Sequence, residues 1–157
     1  MKKLNNKGFT LIELLAVIVI LAILVAIAVP ATTRYLAQAQ KTTFSANAHA
    51  AIDAVKNDAY FSGQTVSKIY HLEEINALMD VKLNQSPYSR EYDGSSYVEL
   101  SIDASGNAIY SICLIDIAGN GIYNNSIDTP TRAIAENDVS DNSVVNLGAG
   151  ITCGIIP

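Results

Sequence analysis

The feature that most constrains this chain is a run of sixteen apolar residues, Leu14 to Val29, with one acid, Glu13, directly before it. Counted from Phe9, the apolar segment to Val29 is 21 residues long, and about 20 are needed to cross the hydrocarbon of a bilayer. A charged side chain there costs about 2.5 to 3.5 kcal/mol, so it needs a partner. The segment therefore predicts a membrane helix in which Glu13 has a function.

Two general interpretations account for part of this segment. A secretory signal peptide would have the basic start and a small-x-small cleavage site at Ala26-Ile27-Ala28, but its apolar centre is usually only about 7 to 15 residues long. A plain membrane anchor has the right length. Neither interpretation gives Glu13 a purpose, and the anchor does not explain why the basic leader ends in Gly8 just before Phe9.

The charges around the segment predict its orientation. Three lysines precede it, whereas Arg34 and Lys41 are the basic residues soon after it. Cytoplasmic flanks carry the excess of positive charge, so we expect a single-pass topology with the N-terminus inside. The rest of the chain mixes apolar residues with Asn, Asp, Ser and Gly. Its length suits one small extracytoplasmic head.

A third interpretation comes from a resemblance. The residues Lys-Gly-Phe-Thr-Leu-Ile-Glu-Leu, from Lys7 to Leu14, resemble the processing motif of type IV prepilins and the related pseudopilins. The resemblance implies that a membrane peptidase cuts after Gly8 and that the new N-terminal Phe9 is N-methylated. It also implies that Glu13 acts in assembly by meeting the N-terminal amine of a neighbouring subunit. It is detailed from residue 7 to about residue 60.

This resemblance implies a fold and a function. The fold is α+β and pilin-like, with a long N-terminal helix, hydrophobic in its first half and amphipathic in its second, packed on a small antiparallel sheet. The leader is 1–8, the transmembrane and polymerisation helix 9–30, and the head 31–157. The implied function is a structural subunit of a type IV pilus, serving adhesion, motility or DNA uptake. The alternative is a pseudopilin of a type II secretion or competence machine.

The resemblance also implies partners and a location. The partners are identical or related pilin subunits, prepilin peptidase and an assembly platform in the cytoplasmic membrane. The precursor would lie in that membrane, and the assembled filament outside the cell. Removing the leader would lower the basic count from 10 to 7 against 15 acids, a formal net charge of −8. Such a head repels nucleic acid.

The helix is predicted to continue beyond the apolar run. Pro30 should kink it, because proline lacks an N–H and clashes with the preceding turn. Between Ala31 and Tyr60 apolar residues recur at helical spacing, which predicts one buried stripe and an end at Ser62-Gly63. The stripe consists of Phe44, Ala48, Ala51, Ile52, Val55 and Ala59.

The head is predicted to contain a short helix and a hairpin. Leu72, Ile75, Leu78 and Met79 indicate a helix over Ser67–Asp80, followed by a loop around Pro87. The alternation in Tyr97–Asp103, a turn at 104–107 and the run Ala108–Ile115 predict an antiparallel hairpin. Asp116–Ala133 should be irregular. A last strand, or the segment that leads into it, is predicted in Ser143–Leu147 and Gly150–Ile155.

The two cysteines, Cys113 and Cys153, are both in the predicted extracytoplasmic part. An even pair in an oxidising compartment indicates one disulfide, which would hold the C-terminal segment against the hairpin. Two separate buried thiols are the alternative.

Other residue patterns give no strong indication of chemistry. Asp116, Asn120, Gly121 and Asn124 have some of the spacing of a calcium loop, but Ala118 and Ile127 occupy two ligand positions. His49 and His71 have no Cys or paired acid at ligand spacing. Glu73 and Glu74 are adjacent on a helix and point apart. We predict no catalytic site, no metal and no cofactor.

Overall fold

The structure is a computed structural model that describes residues 8–126 and 129–154. The chain divides into two compact units, 1–37 and 38–157. One long helix, α1 (Leu11–Ser62), contributes its first part to the first unit and its second part to the head. The α+β fold, with a long N-terminal helix followed by a small antiparallel sheet, is confirmed.

The first unit consists of the apolar part of α1. Pro30 lies inside the helix, and the hydroxyls of Thr32 and Thr33 donate to the carbonyl oxygens of Val29 and Pro30 at 2.9 and 3.0 Å. The helix is continuous through the proline, and the kink stays a prediction. Among the described residues, α1 alone is long and apolar enough to cross a membrane, a property that it shares with signal sequences; one 18-residue window has a mean hydropathy of 3.2.

The second part of α1 buries the predicted stripe. All six of its residues are buried, together with Ser45. The helix ends where Gly63, at φ 63°, takes the left-handed conformation. The Gln64 N–H donates to the Ala59 carbonyl at 2.9 Å and the Gly63 N–H to the Tyr60 carbonyl at 3.3 Å. Glycine favours this way of closing a helix because it has no Cβ to clash.

An antiparallel sheet packs against this part of α1. The strands are β1 (Lys68–His71), β2 (Tyr97–Ile102), β3 (Ala108–Ile115), β4 (Asn120–Ile122), β5 (Asn124–Ser126), β6 (Thr129–Arg132), β7 (Ile134–Ala135) and β8 (Val144–Asn146). The strand order of the main sheet is β1-β2-β3-β4-β8, with β7 also paired to β3, while β5 and β6 form a separate two-stranded sheet. A short helix, α2 (Leu72–Leu78), follows β1, and two 3-10 turns, Glu136–Asp138 and Asp141–Ser143, precede β8.

The sheet separates two apolar clusters. On the helix side, side chains of β2, β3 and β4 join the α1 stripe; they include Val98, Leu100, Ile112, Leu114 and Ile122. A smaller cluster contains Tyr97, Cys113, Ile115, Tyr123 and Cys153. Each large apolar side chain that becomes fully buried contributes about 1.5 to 3 kcal/mol, so the larger cluster dominates the stability of the head.

Three predicted elements need correction. Residues 68–71 are a strand and not the start of a helix. They pair antiparallel with β2, with Lys68 opposite Leu100 and His71 opposite Tyr97. The helix that follows is limited to Leu72–Leu78. The segment after Ile115 is not irregular throughout, since it contains β4, β5 and β6. Residues 151–154 form no strand, and Ile155 lies outside the described residues.

The turn between β3 and β4 explains one of these differences. Gly119 has φ 82°, and a Cβ at that position would lie 2.0 Å from the carbonyl oxygen of Gly148. Because Gly119 has no side chain, the turn can lie close to the backbone of Gly148. This allows β4 to return beside β3 and to pair with β8. Of the Gly and Asn residues that had indicated a loop, Gly119 lies in the turn, whereas Asn120 and Gly121 belong to β4 and Asn124 and Asn125 to β5.

Candidate functional site

The residues predicted to act in processing and assembly lie at the start of α1, where Gly8 and Phe9 precede the helix and Glu13 is in its first turn. The Thr10 N–H and the Thr10 hydroxyl both donate to Glu13 Oε2, at 2.7 and 2.9 Å. The Glu13 N–H points back to Thr10 Oγ1 at 3.3 Å. This reciprocal arrangement is a capping box, which supplies partners to two N–H groups that a helix start otherwise leaves unpaired.

The capping box leaves part of Glu13 available. All the hydrogen bonds to its carboxylate are made to Oε2, and Oε1 has no hydrogen bond to any residue in the described ranges. Phe9 is fully exposed beside it. The amino end of a helix also favours negative charge, because its free N–H groups carry partial positive charge. The carboxylate is thus held in place by Thr10 while one oxygen faces outward.

Thr10 is a residue of this site that the sequence interpretation did not single out. Its signal was present, since Thr-x-x-Glu directly before an apolar run is the sequence pattern of a capping box. The pattern explains why α1 begins at Leu11.

At the other end of the chain, the predicted disulfide is present. Cys113 on β3 is bonded to Cys153, with Cα atoms 6.0 Å apart. Two further bonds hold the same segment: the Cys153 N–H donates to Ser95 Oγ at 2.8 Å, and the Tyr97 hydroxyl donates to the Gly154 carbonyl at 3.1 Å. The C-terminal segment is therefore fastened to the sheet by side chains, which explains why it needs no strand pairing.

Comparisons with known proteins agree with the N-terminal motif. Residues 3–29 match the family model described as the prokaryotic N-terminal methylation motif. The chain is also 36% identical over 116 residues to the type IV major alpha-pilin of Moraxella bovis, in an alignment that covers 74% of this chain and 64% of that protein. The motif and this identity support a type IV pilin, and the chain spans 64% of the length of that relative. No solved structure matches this chain.

The alignment with the Moraxella bovis pilin covers 116 residues, so it includes residues of the head. Type IV pilins are structural subunits. The apolar N-terminal helix of this chain fits a membrane-anchored precursor and an extracellular pilus.

Asp116, which had suggested a weak calcium loop, has an internal role in the head. It is fully buried. Its Oδ1 accepts the N–H groups of Ala118 and Asn120, both at 2.9 Å, and its Oδ2 accepts the Ser86 hydroxyl at 2.8 Å. The Asn120 side-chain amide donates to both oxygens. The carboxylate thus closes the β3–β4 turn and joins it to the loop containing Ser86.

The remaining candidates stay apart. His49 lies on α1 and His71 at the end of β1. Glu74 accepts the His71 N–H at 3.3 Å and so caps α2, while Glu73 is exposed. In the described ranges, no three His, Cys, Asp or Glu side chains form a group that could hold a metal ion.

Proposed function

We propose that this chain is the precursor of a type IV pilus subunit that polymerises through the apolar part of α1. One observation carries the proposal. Every large apolar side chain from Leu11 to Val29 is at least 50% exposed. Water is a poor solvent for that much apolar surface, so another molecule must cover it.

Lipid covers this surface in the precursor, and the α1 helices of other subunits cover it in the filament. Moving from lipid to a helix bundle exchanges one apolar environment for another, so assembly has little hydrophobic cost. A contact between different surfaces of identical subunits repeats without closing, which produces a fibre instead of a ring.

Cleavage between Gly8 and Phe9 by prepilin peptidase is the step that we propose activates the subunit. It creates an α-amine on Phe9, which is then N-methylated and remains a cation. In the filament this amine meets Glu13 of a neighbouring subunit, at the oxygen that Thr10 leaves free. Removing one member of a buried ion pair leaves the other uncompensated, so the pair selects the correct register during docking.

The precursor crosses the cytoplasmic membrane once with its N-terminus inside, as its lysines indicate. An assembly platform in that membrane then extracts it into the growing filament. We assign it no enzymatic activity and no cofactor. The acidic head argues against direct binding of nucleic acid by charge. Adhesion, motility and DNA uptake are all compatible with such a filament.

Mass spectrometry of the mature N-terminus tests the processing step. We expect a chain that begins with methylated Phe9, whereas a chain that begins at Val29 would indicate a secretory signal peptide and contradict the proposal. Immunogold labelling of whole cells tests the filament. Labelled surface fibres support a pilin, and a processed chain without surface fibres would favour the alternative, a pseudopilin of a secretion or competence machine.

A further inference from the structure

Two neighbouring aromatic side chains at the end of α1 face solvent. Tyr60 is 83% and Phe61 85% exposed, and their rings contact each other edge to face with centroids 5.7 Å apart. Val66, five residues further on, is 62% exposed. Single exposed apolar side chains are common on protein surfaces, but adjacent large ones indicate a binding surface.

The backbone beneath this pair is held in place. Ala59, the preceding residue, is buried against the sheet, and its carbonyl accepts the Gln64 N–H in the turn that closes the helix. The pair therefore cannot turn into the core without breaking that closure. Aromatic side chains have few rotatable bonds, so a partner would order them at low entropic cost.

The residues next to the pair in the sequence do not repel an acidic partner. Residues 59–67 contain no charged side chain, although the mature chain would carry a formal net charge of −8. Two acidic heads repel each other wherever their charged surfaces meet. An uncharged aromatic patch is a surface through which two copies of this chain can approach closely.

The size of the patch indicates how it is used. An aromatic side chain buries about 150 to 250 Å², so the pair supplies roughly 300 to 500 Å², against about 800 Å² per partner in a standard interface. This is too little for an independent dimer of heads. It suits one contact among several in an assembly to which other parts of the chain also contribute.

We propose that Tyr60 and Phe61 form a docking patch for a second copy of this chain within the filament. The inference rests on the proposed function, since it requires filaments, and it adds a specific contact made by the head to the contacts of the apolar helix segment.

A photo-crosslinking experiment tests the identity of the partner. Para-benzoylphenylalanine replaces Phe61 in the full-length chain, and filaments are irradiated after isolation. Ser105, an exposed residue of the β2–β3 turn, is replaced in the same way as the control. We expect a covalent dimer in which residue 61 is joined to another copy of the chain, at a yield roughly tenfold above the control. Filaments without that dimer, or with residue 61 joined to a different protein, would overturn the inference.

Substitutions test the contribution of the patch. We expect Phe61→Ser to reduce the amount of filament roughly tenfold and Phe61→Leu to retain most of it, because leucine keeps a large apolar surface. Both variants should be processed normally and should unfold at the same temperature as the unsubstituted protein, since the side chain of residue 61 lies outside the core. Unchanged filament levels in Phe61→Ser would contradict the inference alone. Absence of filaments from the unsubstituted strain would overturn the proposed function and this inference with it.

Discussion

Thr10 and Glu13 provide each other's hydrogen-bond partners across the first turn of α1, with the Thr10 N–H 2.7 Å from Glu13 Oε2. One carboxylate therefore caps its own helix and still has an oxygen available to another molecule. The two roles can be separated by substitution, because the capping hydrogen bonds need only an oxygen acceptor, whereas an ion pair with a neighbouring amine needs the negative charge.

The first prediction concerns this separation. We expect Glu13→Ala and Glu13→Gln to leave membrane insertion and processing intact and to impair filament assembly, because both remove the charge while Gln keeps a capping oxygen. Thr10→Ala should weaken the cap by about 0.5 to 2 kcal/mol and still permit filaments. Filament mass in sheared fractions and mature N-termini are the measurements. Normal filaments from Glu13→Gln would show that the charge is dispensable.

The second prediction concerns the disulfide. The bond spans a sequence separation of 40 residues, and closing a loop of that size stabilises a folded chain by about 4 kcal/mol in the chain-entropy model. Replacing both Cys113 and Cys153 by Ser should lower the free energy of unfolding by about that amount in a denaturant titration. The reduced, unsubstituted protein should behave like the double variant. A double variant that still lost stability on adding reductant would point to a different cause.

The third prediction concerns the buried carboxylate. Asp116→Ala would leave the Ser86 hydroxyl and the N–H groups of Ala118 and Asn120 without their acceptor, at about 1 to 3 kcal/mol for each unpaired buried group. We expect the variant to be severely destabilised and Asp116→Asn, which keeps one acceptor oxygen, to be less so. Asp80→Ala, at an exposed position, is the matched control. Thermal unfolding of all three variants checks this order, and equal midpoints would contradict it.

The fourth prediction concerns alkaline pH. Burial raises the pKa of Tyr70 to about 12, and the hydrogen bond from its hydroxyl to Asp58 Oδ2, at 3.1 Å, adds to the increase. Because the folded-state pKa is above the ordinary value of 10.0, the stabilisation is complete below pH 10 and is lost as the pH rises toward 12.

Ultraviolet titration of tyrosine ionisation measures this effect. Asp58→Asn should lower the pKa of Tyr70 only in part, since burial is the larger cause. Tyr70→Phe should remove one late-ionising tyrosine from the titration. An unchanged number of late-ionising tyrosines in Tyr70→Phe would refute the assignment.

Local patterns predicted much of this fold. The α1 stripe is buried as its helical spacing indicated, and the β2–β3 hairpin pairs as its alternation indicated, with Leu100 opposite Tyr110. The two cysteines of the chain are joined. The buried stripe depends on periodicity within one segment, and the hairpin depends on a turn between two strands that are adjacent in the sequence. The disulfide follows because two cysteines can form only one pair.

Strand β1 shows where such patterns are insufficient. Lys68–His71 adjoins a helical pattern, but it pairs with β2, whose first residue is 26 positions beyond His71 in the sequence. The Tyr70 hydroxyl reaches Asp58 on α1. Neither partner can be identified from the four residues themselves, and the free energy of pairing and burial outweighed their local preference.

The sequence by itself determined that the chain has an apolar helix that must be covered, a Gly8-Phe9 junction, and an acid at the start of that helix, because these are properties of consecutive residues. The tertiary structure alone decided that Asp116 is internal and that Tyr60 and Phe61 face outward. Burial depends on which distant segments pack together, and residues 59, 60 and 61 differ in exposure only because the sheet covers one side of α1.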